Sequence, residues 1–175
     1  MSAPTHTASE VQPRRAHTAH DSESTADLLF DIFFAGGVGG SATALFFLVV
    51  DGVLGRLFFT PSAIGTALFT GEAVSAATPV RLDMVVYFSI VHFALFGTVA
   101  FAAAELTRWR PDLERRPLLM AGIIFAVLTA GVFLANAFVL HGVLSAIGIV
   151  PVIAANAVTG VAMAVFFRWS RTQRI

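Results

Sequence analysis

Residues 28–50 read LLFDIFFAGGVGGSATALFFLVV, and Asp31 is the one charge among them. A bilayer core takes about 20 apolar residues per helical span, so this stretch reads as a membrane-crossing helix. Three more follow at 82–106, 118–140 and 149–167. Their number and length predict an all-α integral membrane four-helix bundle, residues 25–168, with an N-terminal tail (1–24) and a C-terminal tail (169–175).

The composition agrees. Hydrophobic residues make up 57% and charged residues 13% of the 175 positions, where soluble domains carry about 25% charge. Mean hydropathy is +0.80. The length leaves room for one bundle and no second domain. A net charge of zero argues against nucleic acid. The chain has no cysteine, which removes thiolate metal sites, disulfides and cysteine nucleophiles. All eleven basic residues are arginine. With the many Ala, Gly and Val, this suggests a GC-rich bacterial source.

Residues 1–23 are polar and lack the short apolar core of a signal peptide. They read as a disordered cytoplasmic arm, with His6, His17 and His20 as solvated tail residues. Arginines in short loops stay cytoplasmic. Arg14, Arg15, Arg108, Arg110, Arg115, Arg116, Arg168, Arg171 and Arg174 fall on one side of four spans, and only Arg56 and Arg81 on the other. Both termini are therefore expected in the cytoplasm, which makes the chain a multi-pass protein of a bacterial inner membrane. Trp109 and Trp169 follow the inner ends of two spans, at headgroup depth.

Helix punctuation is readable. Ser24 to Asp27 resembles a capping box for span one. Thr78-Pro79 and Arg116-Pro117 place proline in the first turns of spans two and three. Pro151 in the same role would leave span four about 17 residues long. The connection between spans one and two is the long one. Thr60-Pro61 starts and Gly71 stops a helix of roughly ten residues within it. That helix is nearly uncharged, and Phe58, Phe59, Ile64, Leu68 and Phe69 of this connection need cover. It is expected to lie in the outer interface or against a partner subunit. A faint echo relates Asp51-Gly52-Val53-Leu54 before Pro61 to His141-Gly142-Val143-Leu144 before Pro151. If real, it would make Asp51 and His141 equivalent.

Small residues spaced by four let helices approach closely in lipid. Gly36 with Gly40, Gly37 with Ser41, and Asn156 with Gly160 and Ala164 form such rows, expected to pack the bundle. One row facing outward would instead dock a partner helix or a flat cofactor. Polar residues in spans are functional candidates: Asp31, Ser41, Thr43, Ser89, His92, Thr98, Thr129, Asn136, Asn156 and Thr159. By rise per residue His92, Asn136, Asn156 and Thr43 lie roughly 7 to 14 Å below the outer ends. They are candidates for one polar layer, either a structural layer or a ligand site. His92 could ligate haem or a chlorophyll-type magnesium, though His141 stands too high to be its partner.

No nucleotide loop, zincin motif or nucleophile elbow is present, and the spans lack the two convergent reactive groups an enzyme needs. No catalytic residue, metal ligand set or cofactor is expected. The reading that remains is a non-catalytic accessory subunit of a larger membrane complex, in contact with lipid and with other subunits or copies of itself. A small homo-oligomeric transporter or channel and a His92 cofactor protein are the alternatives.

Overall fold

A computed structural model describes residues 15–172, and every regular element among them is helical. The order is α1 (Arg15–Val53), α2 (Phe59–Thr70), α3 (Leu82–Trp109), a 3-10 turn (Pro111–Arg115), α4 (Pro117–Phe138), α5 (Val143–Ile147) and α6 (Ile149–Thr172). Among the described residues four segments are long and apolar enough to cross a membrane: Ile32–Val53, Leu82–Trp109, Pro117–Phe138 and Ile149–Ser170. The chain is thus built as a multi-pass helical membrane protein.

The boundaries follow local chemistry with three differences. α1 is already helical at Arg15, ahead of the 24–27 box. Between Pro13 and Gly36 nothing in the sequence breaks a helix. The remainder of the expected tail, with His6, lies outside the described residues. Pro79 precedes α3 by three residues and is not in its first turn. The entering strap is instead held by Ser75 N–H donating to Thr78 Oγ1 at 2.9 Å and Arg81 N–H donating to Ser62 Oγ at 2.8 Å. Span four is not short, because α6 runs past Phe167 to Thr172. Pro117, by contrast, opens α4, and Gly71 stops α2 with φ of 71° and its N–H on Ala67 O.

α1 is the centre of the bundle. It packs on α3 and on α6, and α6 packs on α4. The consecutive helices α3 and α4 communicate mainly through the 3-10 turn. The spans form a row, α3–α1–α6–α4, with α4 at one edge and α2 laid on α3 at the other.

Two cores divide the row. At the arginine-rich end Ala35, Phe96, Ala100, Ala104, Ile124, Met163 and Phe167 come together. At the opposite end Phe47, Phe59, Ala63, Val74, Val143 and Val152 do so. Each core draws on the start of one span and the end of the next, which fixes the alternating directions of the four helices. Trp109 and Trp169 stand exposed at the arginine-rich end.

Glycine sets the closest approaches. A Cβ on Gly36 would stand 3.0 Å from Gly97 Cα, and one on Gly39 would stand 2.6 Å from Met163 Sδ. One on Gly160 would reach Ala121 O at 2.7 Å, and one on Gly65 would collide with Met84 O. The crossings α1/α3, α1/α6, α4/α6 and α2/α3 therefore each rest on a missing side chain.

Candidate functional site

The polar residues of the spans do not meet as one layer. They pair one helix interface at a time. Thr43 and Thr159 share a hydrogen bond of 2.6 Å between α1 and α6. Asn156 Nδ2 donates to Thr129 Oγ1 at 3.2 Å between α6 and α4. His92 Nε2 lies 2.9 Å from Gly40 O between α3 and α1. Asn136 Oδ1 accepts Leu144 N–H at 3.2 Å and so satisfies a free donor in the first turn of α5. Ser89 and Thr98 bond back to Val85 O and Ala94 O within α3. Asp31 lies on α1, and its side chain falls outside the described residues.

The helix order explains the dispersal. The sequence gives depth along a span, whereas pairing depends on which neighbour each face meets. Interhelical hydrogen bonds in lipid contribute about 0.6 kcal/mol each, so these act as small rivets added to close packing.

His92 is the most developed of these positions. A carbonyl oxygen only accepts, so Nε2 carries the proton bonded to Gly40 O; in the neutral ring Nδ1 holds the lone pair. Phe88, Phe93 and Phe96 surround the imidazole, with ring centroids 5.4, 5.4 and 4.8 Å away. His141 is exposed in the turn after α4, its Nδ1 on Val139 O. Among the described residues no group of three or more His, Asp or Glu is placed to hold a metal ion.

The opposite end contains a device that local sequence patterns do not announce. Asp51 is fully buried at the end of α1. Its Oδ2 accepts Thr60 N–H at 2.7 Å and its Oδ1 accepts the Thr60 hydroxyl at 2.8 Å. The carboxylate of one helix thereby caps the next, where it also meets the positive end of the α2 dipole. A cap eight residues ahead of its helix has no short motif; an acidic residue at a span end was the available signal. Between them Phe58 takes a left-handed φ of 64°.

Arg56 stacks on the Phe59 ring at 3.9 Å and reaches Ala146 O at 3.4 Å. Arg81 pairs with Asp83 at 2.8 Å, exposed. Both arginines outside the arginine-rich end are thus engaged within the chain.

α2 exists where the sequence placed it, but it is not a free amphipathic helix. Phe59, Ala63 and Ala67 are buried, while Phe58 and Phe69 stay exposed and Ile64 and Leu68 lie between. Phe69 meets Tyr87 of α3 edge-on at 5.7 Å. The 51–54 and 141–144 echo has no structural counterpart. Asp51 is buried and His141 exposed, and Pro61 lies in α2 while Pro151 lies in a membrane span.

Two hollows lie along the α1/α3 seam. One, of about 200 Å³, runs between α1, α2 and α3 from Asp51 and Thr60 to Ser89 and His92, with Phe47, Phe88 and Phe93 in its walls. The other, an open groove of about 620 Å³, is bounded by Phe33, Phe34, Gly37, Ser41, Phe93 and Gly97. The two glycine rows of α1 have therefore separated. Gly36 and Gly40 face α3, while a Cβ on Gly37 or on Gly97 would meet nothing within 4 Å.

Comparisons with known protein families, with curated proteins and with solved structures return no match, which leaves the chain's own residues to indicate its role.

Proposed function

We propose that this chain is a non-catalytic accessory subunit of a larger membrane complex, in the inner membrane of a bacterium. Both termini face the cytoplasm, as the arginine distribution favours, and α2 lies at the outer interface. The observation that carries the subunit reading is the groove at Gly37, Ser41 and Gly97. The neighbouring glycines of α1 are all in tight contact within the chain, yet this second small-residue surface is open and edged by exposed Phe33 and Phe93. In lipid such a surface gains stability only when another helix fills it. A transmembrane helix of a partner subunit is the fitting occupant.

The alternatives draw less support. A transporter or channel needs a polar route, and here the polar groups are matched pairwise across separate interfaces. Haem between two histidines would need His92 and His141 at one depth.

The test is the native mass of the full chain from mild detergent. Wild type should migrate well above its 18.6 kDa together with other subunits, and Gly37→Leu should migrate alone with unchanged thermal unfolding. A wild-type monomer overturns the reading, and a complex of this chain alone redirects it to a homo-oligomer.

A further inference from the structure

The smaller hollow, between α1, α2 and α3, has a chemistry of its own. Its volume of about 200 Å³ somewhat exceeds the roughly 150 Å³ of an apolar cavity that accepts benzene, so a single substituted ring fits. The walls are mainly apolar, with Phe47, Phe88 and Phe93 offering ring faces and edges. Leu45 and Phe93, both lining residues, are 61% and 45% exposed. The hollow therefore opens sideways, between α1 and α3, onto the surface that lipid covers.

The polar atoms at the hollow are matched in an uneven way. The Ser89 hydroxyl already donates to Val85 O. The Thr60 hydroxyl already donates to Asp51. The protonated nitrogen of His92 is bonded to Gly40 O. These three donors are in use, and the Thr43 hydroxyl, also at the hollow, is bonded to Thr159. His92 Nδ1 has no partner among the described residues, and the Ser89 oxygen, one turn away on the same face of α3, can still accept. An occupant that satisfies them has to bring its own donor.

We propose that this hollow binds a lipid-soluble phenol or quinol, a single hydroxylated ring donating to His92 Nδ1, whose apolar tail leaves between Leu45 and Phe93 into the bilayer. The ring packs among the phenylalanines and its hydroxyl replaces the hydrogen bond it loses on leaving the headgroup region. An oxidised quinone offers only carbonyl acceptors to a wall that has no free donor at His92 or Ser89, so the site favours the reduced form. The same argument disfavours methyl ethers of the ring. This site shares only Phe93 with the groove that the partner-helix reading uses, and either can fail without the other.

The test uses the full chain in vesicles of phosphatidylethanolamine and phosphatidylglycerol. The probe is a 4-alkylphenol with a photoreactive diazirine in its alkyl chain. Labelling should map to α1 and α3 near Leu45 and Phe93. Unlabelled 4-heptylphenol should compete about fivefold or more better than 4-heptylanisole, the advantage expected of one net hydrogen bond. His92→Phe should erase that preference. Ala44→Phe, on an exposed lining residue that leaves the Thr43–Thr159 bond in place, should abolish specific labelling. Equal competition by phenol and anisole on wild type, or labelling unchanged by Ala44→Phe, overturns the proposal. These two arms stand even if His92→Phe does not fold.

Discussion

The two ends of this bundle are held together by different means. At the arginine-rich end the core is small side chains with Met163 and a few phenylalanines, and the spans touch through Gly36, Gly39 and Gly160. At the α2 end an apolar core and the Gly65 approach to Met84 are joined by polar contacts: Asp51 on Thr60, Arg56 on Ala146 O, Asn136 on Leu144 N–H, and Val74 N–H on His141 O at 3.2 Å. Membrane helices gain little from apolar burial against one another, so contact distance is decisive between spans. The α2 end instead has turns, short helices and free helix termini whose backbone groups need partners. Close packing serves where all backbone groups are already bonded, and side-chain capping serves where they are not.

That contrast can be broken first at the packed end. Gly160→Leu would drive a side chain into Ala121 O and the α4 backbone. It should destabilise the bundle by about 3 kcal/mol, the upper range for overpacking, measurable by unfolding in mixed micelles. At the α2 end, Asp51→Ala leaves the Thr60 N–H and hydroxyl without their acceptor. It should cost about 2 kcal/mol, with hydrogen exchange rising in α2 before the spans. Unchanged protection of α2 would mean the cap is incidental. Thr43→Val removes one bond between α1 and α6 and should cost only ~0.6 kcal/mol; a loss several times larger would show polar contacts holding the spans too. Gly37→Leu points into the open groove and should alter monomer stability by less than about 0.5 kcal/mol while abolishing higher assembly on native gels.

Much of the fold is legible in the sequence because membrane spans are encoded by length and apolarity alone. The four stretches and the α2 helix bounded by Thr60-Pro61 and Gly71 correspond closely to observed elements. The five-residue α5 is too short for any periodic signal, although Gly142 and Gly148, both at positive φ, bracket it. The candidate site was less legible. Rise per residue gives the depth of Thr43, His92, Asn136 and Asn156, yet a single layer needs them to face one another, and the row α3–α1–α6–α4 sends them to separate neighbours. The rows Gly36/Gly40 and Gly37/Ser41 have the same spacing. Only the position of α3 distinguishes the row that is covered from the row that is open.

The Asp51–Thr60 contact also bears on the order in which the chain assembles. Its partners are nine residues apart, so they can join as soon as residue 60 has been made. Thr43 has to wait for Thr159, 116 residues further along the chain. The α1 helix can therefore shield its terminal carboxylate before α3, α4 and α6 exist, and translation itself gives α1 and α2 a head start as one unit. Lengthening the 54–58 connection should then delay membrane integration of the first span more than it lowers the stability of the finished bundle.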